Sequence, residues 1–531
     1  MDTKALRQKI LNLAIRGKLV PQDPNEEPAS VLLEKIRAEK QQMVKDGRLK
    51  TKDIKNDTII FKGEDNLHYE KFQDGSEKCI EDEIPFELPK GWAWCRVRDI
   101  AAVKGGKRLP KGVGFSPCRT AHAYIRVTDM KNHSINTDDL KYISEEVFLQ
   151  IKNYTISKDD LYVTIAGTIG VTGEVPTELD GMNLTENAVK ITNIQINKTY
   201  LCLIIQSEFV QQQFQDKTHQ VAMPKLALER ILSTLIPVCT ITTQSAMVSK
   251  FVEMDSLINQ IREEKEILAE TVSLTKSKIL DLAIRGKLVP QNPDDEPASV
   301  LLERIRAEKE ELIKQGKIKR DKKESVIFKG EDNSYYEKVG AEIRCIDSEI
   351  PFKIPDGWMY ERLGNICSIA RGGSPRPIEN YLTDDENGLN WIKIGDTEQG
   401  GKYIYSTKEK IRPEGLSKTR YVCRGDFLLT NSMSFGRPYI LRTNGCIHDG
   451  WLVIGGIEIA FHQDYLYYML SSSIMYNALS SLAVGSTVKN LKSDSVKSLL
   501  VPIPPLAEQA CISRQIENYF ATMIPIERSL S

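Results

Sequence analysis

From Met247 the apolar residues step along the chain by threes and fours: Met247, Phe251, Met254, Ile258, Ile261, Leu268, Val272, Ile279 and Leu282. Lys265 and Thr275 fill the two polar turns of that register. A stripe kept over about five heptads, flanked by charge such as REEKE, predicts a coiled-coil helix. No Gly or Pro interrupts it, and some 40 residues at a rise of about 1.5 Å each would reach about 60 Å. The rhythm returns at both termini. Ile512, Ile516, Tyr519, Met523, Ile526 and Leu530 repeat the first half of the stripe 265 positions later, and Thr3, Leu6, Ile10 and Leu13 repeat the second half 269 positions earlier. The two ends therefore predict a split copy of the central helix, lying antiparallel to it, with the chain closing in approximate twofold symmetry.

The periodicity is part of a longer duplication. KILNLAIRGKLVPQDPNEEPASVLLEKIRAEK (9–40) returns as KILDLAIRGKLVPQNPDDEPASVLLERIRAEK (278–309), FKGEDN at 61 returns at 328, and EIPFELPKGW at 83 returns as EIPFKIPDGW at 349. The offset falls from 269 (278 − 9) to 266 (349 − 83), and beyond Trp92 and Trp358 the copies diverge. Each copy predicts a helix that stops at Gly17 or Gly286, a turn through Pro, and a second helix opening near Pro28 or Pro297. Basic stretches follow at 45–55 and 314–325, as a solvated hinge or as a contact to phosphate or a partner subunit. The plan is two like frames, each holding a different insert of roughly 140 residues.

Both inserts open on P-x-G-W (Pro89, Gly91, Trp92; Pro355, Gly357, Trp358) and then alternate short β-type runs with Gly-rich turns. Charge over the whole chain is balanced, 72 basic against 73 acidic residues, so a nucleic-acid surface has to be a local patch. Such patches exist. Lys104, Lys107, Arg108, Lys111, Arg119 and Arg126 crowd the start of the first insert, where VKGGKRLPKGVGF reads as a basic loop able to follow a phosphate backbone. ARGGSPRP places Arg371 and Arg376 at the matching point of the second, with Arg437, Lys489 and Lys492 as further candidates.

Catalytic signatures are missing from the sequence. There is no Walker loop, GTIGVTG (167–173) has the wrong spacing for a dinucleotide fingerprint, and the six histidines show no metal-ligand spacing. His448-Asp449 reads as turn structure rather than half of a hydrolytic pair. Ten scattered cysteines without a C-x-x-C pair suit reduced thiols, and no apolar run of membrane-spanning length occurs, so a soluble cytoplasmic protein is expected.

Two β-rich inserts entered by P-x-G-W, closed by LLVPIPPLAEQACI (499–512) and separated by long helices resemble the specificity subunit of type I restriction–modification enzymes. The likeness covers essentially the whole chain, although the first copy of the closing motif departs from it, reading LIPVCTITTQSAM with Pro237 and Gln244 kept. The resemblance implies an α+β fold: two mixed, mostly β target-recognition domains separated by long antiparallel coiled-coil helices. The expected segments are an N-terminal helical region (1–82), a first recognition domain (83–243), a central region with the long helix (244–348), a second recognition domain (349–505) and a C-terminal helix (506–531). It further implies that each domain reads one half of an interrupted, asymmetric duplex target, while the helices set the gap and dock two methyltransferase subunits. S-adenosylmethionine, ATP and Mg would come with those subunits and with motor-nuclease subunits. The chain itself would be non-catalytic within an adenine-N6 methyltransferase and ATP-dependent endonuclease. The competing expectation is a scaffold protein joining two recognition modules through a coiled coil.

Overall fold

The computed structural model describes residues 2–216, 225–318, 324–398, 400–432, 435–483 and 490–530. Contacts divide the chain into two units, Met1–Glu264 and Lys265–Ser531. The boundary falls inside one uninterrupted helix, Ile241–Ile284, of 44 residues. Among the described residues no helix is long and apolar enough to cross a membrane.

Each unit packs its own chain terminus against its share of that helix. In the first, the helix Thr3–Ile15 buries Ile10 and Leu11 with Phe251 and Ile258, and Arg7 bonds Asp255 at 2.8 Å. In the second, Leu506–Leu530 runs antiparallel to it: Leu530 lies beside Ala269 and Val272, whereas Glu527 pairs with Lys276 at 2.7 Å. The heptad residues Met247, Phe251, Ile258, Val272 and Ile279 are buried as expected. Leu268 is not. It is exposed, as are Ile267 and Leu274 off the stripe, so the stripe is interrupted at Leu268 although Val272, the next apolar step, is covered.

The repeated decapeptide and the P-x-G-W motif are two halves of one joint. Gly17 and Gly286 sit just past their helix ends at φ of 63° and 66°, a conformation that costs other residues about 1–2 kcal/mol. A Cβ there would stand 2.5 Å from Pro89 Cγ or 2.3 Å from Pro355 Cγ. The indole N–H of Trp92 donates to Gln22 at 2.7 Å, and that of Trp358 to Gln291 at 3.1 Å. Ala29 and Ala298, which begin the following helices, donate their N–H to the carbonyls of Gly91 and Gly357. Pro28 and Pro297 are the N-caps of those helices.

The motif leads into a clasp. Strand Ala93–Arg96 pairs antiparallel with Leu235–Val238, the exit of the first insert, and Met359–Arg362 pairs likewise with Leu500–Ile503. Between entry and exit each unit folds two larger sheets. Those of the first unit have four strands apiece and those of the second five. A small three-stranded sheet (Ile59–Lys62, His68–Lys71, Glu77–Cys79; in the second unit Ser325–Lys329, Tyr335–Val339, Glu342–Cys345) is pinned to the clasp by buried charge. Arg96 bonds Glu70 at 2.8 and 3.1 Å and Glu83 at 2.8 Å. Arg362 bonds Glu337 at 2.9 and 3.0 Å and Glu349 at 2.6 Å, and Arg344 adds a contact to Glu337 at 2.5 Å. Burial alone would raise the Glu337 carboxyl, but Arg362, Ser325 and Arg344 outweigh it and hold it at about 2.

Candidate nucleic-acid interface

In the first unit the strand Ala102–Gly105 leaves one sheet and the chain crosses at 106–121 to His122–Ile125 of the other. Gly106 N–H donates to the carbonyl of Ala188 and Lys107 N–H to that of Leu184, which presses the crossing loop onto the turn after strand Met182–Leu184. A Cβ on Gly106 would lie 2.1 Å from the Thr185 carbonyl oxygen. The second unit repeats this. After Ser368–Arg371, Gly372 and Gly373 donate to Trp451 and Ile447, and a Cβ on Gly372 would lie 2.3 Å from His448 O. Gly106 and Gly372 thus correspond at the same offset, 266 (372 − 106), as Trp92 and Trp358.

The turn that receives the loop carries an acid in both units, two residues beyond a strand paired in parallel with its neighbour. Glu186 takes the Arg108 guanidinium at 2.6 Å and a hydroxyl bond from Thr185 at 3.0 Å. Asp449 takes the Ser374 hydroxyl at 2.8 Å and Arg376 at 3.4 Å, while its backbone carbonyl accepts from Arg371 at 2.8 Å and Asn431 at 2.7 Å. Burial works to raise both carboxyls. The Arg108 bond carries Glu186 below its ordinary value, and the Ser374 bond with His448, Arg371 and Arg376 does so for Asp449.

Of the basic residues expected from sequence, Lys104, Lys107, Lys111 and Arg119 are exposed beside Arg108 in the chain. Lys107 Nζ stands 5.5 Å over the Tyr154 ring and Arg119 lies 5.8 Å over Tyr142. Phe115, also exposed, lies 5.7 Å from Tyr124, whose hydroxyl donates to Lys107 O at 2.7 Å. The loop therefore presents exposed cations, with Lys107 and Arg119 set over aromatic rings, a combination that suits contact with phosphates. Arg126 is different. Its guanidinium is spent on Asp129 at 2.6 Å and on Asp139, so it braces the fold. In the second unit Arg371 and Arg376 are exposed around Asp449. Arg437 is exposed on a separate cleft of about 610 Å³ shared with Tyr439, Tyr467 and Tyr476, and Lys492 caps a short helix. Lys489 lies outside the described residues. His448 closes a turn, its Nδ1 accepting from Gly450 N–H at 2.7 Å.

Glu186, Tyr124, Tyr142 and Tyr154 escaped the sequence reading, and Asp449 was legible only as turn structure beside His448. The two acids had one available signal: in both inserts an acid follows a short apolar strand by two residues, in TEN and in HDG.

The family description "Type I restriction modification DNA specificity domain" matches residues 89–270 and 355–530, most of the chain. The chain belongs to this family. The EcoEI specificity subunit of Escherichia coli is 26% identical over 587 residues, covering 97% of this chain and 89% of that protein. The EcoAI specificity subunit of Escherichia coli is 30% identical over 430 residues, covering 70% of this chain and 63% of that protein. A chain from a structure concerned with complex assembly and conformational transition of the type I R-M system superposes with a TM-score of 0.54 at 16% identity, covering 84% of this chain and 94% of that one, which shows the shared fold. The two crossing loops thus lie in the DNA-recognition regions of a type I specificity subunit, as the residue-level resemblance implied.

Proposed function

We propose that each unit reads one half of an interrupted, asymmetric duplex sequence, and that the chain does so as the non-catalytic partner of two methyltransferase subunits in the cytoplasm. The observation that carries this is one loop-on-turn geometry dressed with different side chains: Arg108 on Glu186 in one unit, Ser374 and Arg376 on Asp449 in the other. A shared scaffold with unlike contact residues suits two readers of unlike half-sites. Half-sites one turn of DNA apart are separated by about 34 Å, well within the reach of a helix as long as Ile241–Ile284. The methyltransferase partners would supply S-adenosylmethionine and methylate adenine, and motor-nuclease subunits would bring ATP and Mg for restriction.

The test is a genome-wide map of N6-methyladenine in cells expressing this chain with and without a cognate methyltransferase subunit. An interrupted, asymmetric motif that needs both supports the reading. No motif, or a continuous one, favours the scaffold alternative.

A further inference from the structure

The Arg108–Glu186 pair has no evident structural task. The arginine is 78% exposed, and exposed ion pairs add little to stability. The turn is already fixed without it, by the bonds from Gly106 and Lys107. Even so, the second unit keeps an acid at the same place, facing the same loop, although the surrounding sequence has changed and Ser374 stands where Arg108 would. Arg376 comes in from two residues further on to restore a cation at the carboxylate. What is preserved is the juxtaposition of an acid with the basic group of the crossing loop.

An acid next to a DNA-facing arginine is unfavourable for raw affinity, because it competes with phosphate for the same guanidinium. It favours discrimination, since an interface gains specificity by penalising wrong partners. A carboxylate can also accept a hydrogen bond from an exocyclic amino group in the major groove, which a phosphate backbone does not offer.

We infer that Glu186 and Asp449 are specificity-determining positioning residues: each holds the basic side chain of its loop away from indiscriminate phosphate contact and yields it to a half-site that presents an exocyclic amino group to the carboxylate. This rests on the reading of the two units as DNA readers. The acids act through their basic partners, and each governs its own half-site.

The experiment uses the full chain assembled with its methyltransferase, titrated with a random-sequence duplex of about 30 base pairs over a salt series, alongside methylation mapping. Glu186→Gln should tighten binding to the random duplex about tenfold at low salt and steepen the log–log salt slope by about one, the signature of one added phosphate contact. In the map, discrimination should fall about tenfold at one base pair of the first half-site and stay intact in the second. Asp449→Asn should mirror this. In an Arg108→Gln background the gain from Glu186→Gln should vanish, a coupling that a merely structural carboxylate would not show. Thermal melting of each variant accompanies the titrations, so that a loss of fold is recognised as such. Wild-type slope and affinity in a folded Glu186→Gln protein, a gain that survives without Arg108, or equal loss at both half-sites would each overturn the inference alone. A wild-type complex with no salt-dependent affinity for duplex DNA would overturn the two-reader reading and this inference with it.

Discussion

Replacing Glu337 by Gln should loosen one small sheet and spare its twin. The Glu337 carboxylate accepts from Ser325 at 2.7 Å, from two guanidinium nitrogens of Arg362 and from two of Arg344. The amide keeps one acceptor oxygen but loses the charge, and Arg362 stays largely buried with Glu349 as its remaining acid. Removing one partner of a buried pair costs about 3–5 kcal/mol, and the surviving Glu349 bond sets the expectation near the lower end, about 3 kcal/mol. At about 1.4 kcal/mol per decade that is roughly two decades in the opening equilibrium. The assay is amide hydrogen exchange followed by mass spectrometry at neutral pH. Peptides covering 325–345 should lose about 100-fold in protection. Peptides covering 59–79, where Arg96 still bonds Glu70, act as the reference inside the same molecule and should be unchanged. A loss below about tenfold, or the same loss in both sheets, would show that the ion cluster does not hold the sheet to the clasp.

Acid should reproduce the effect. Glu337 titrates at about 2 in the folded chain against an ordinary 4.5, so its contribution is complete above pH 4.5 and disappears as pH falls from 4.5 toward 2. On the order of 2–3 kcal/mol is at stake after allowing for solvent around the half-exposed Arg344, and exchange of the 325–345 peptides, corrected for the intrinsic rate, should report it. Gly286→Ala should cost about 2 kcal/mol or more, because the residue needs positive φ and its new methyl meets Pro355; denaturant melts check it, and an unshifted midpoint would count against the joint. Charge reversal of Arg108 and Lys111 should weaken use of the first half-site while sparing the second in a methylation map. Equal loss at both would contradict independent readers.

Much of the frame could be read from sequence because it is written twice. The heptad stripe, the helix ends at Gly17 and Gly286 and the starts at Pro28 and Pro297 rest on local rules of spacing and capping, and duplication doubled each signal. The partner of each motif was hidden. That Trp92 seeks Gln22 across 70 residues, or that Arg96 neutralises Glu70 inside what looks like solvated, charged sequence, depends on tertiary approach that periodicity does not encode. Spacing also places Leu268 on the seam, yet a heptad register marks only which side a residue faces, and among the described residues Leu268 stays exposed. At the candidate interface, a count of basic residues points to the two loops but carries no trace of Glu186 and Asp449, which lie against them through the fold. Arg126 was counted with the rest although Asp129, three residues on, was available to tie it down.

The clasp has a bearing on how such a chain changes over generations. Entry and exit of each insert are neighbouring antiparallel strands, Ala93–Arg96 with Leu235–Val238 and Met359–Arg362 with Leu500–Ile503, anchored by the same Gly–Pro–Trp–Gln joint. The inserts also pack directly on the frame helices, Leu203 with Ile10 and Phe251 in the first unit and Tyr468 with Phe520 in the second, so the clasp fixes the ends and these contacts fix an inner face. A new insert has to present two short strands in that register and a helix face that fits the frame, while loops that touch neither are free to change. Sequence change in those loops is thereby uncoupled from change in the frame, so lineages can diversify them while the frame stays as it is.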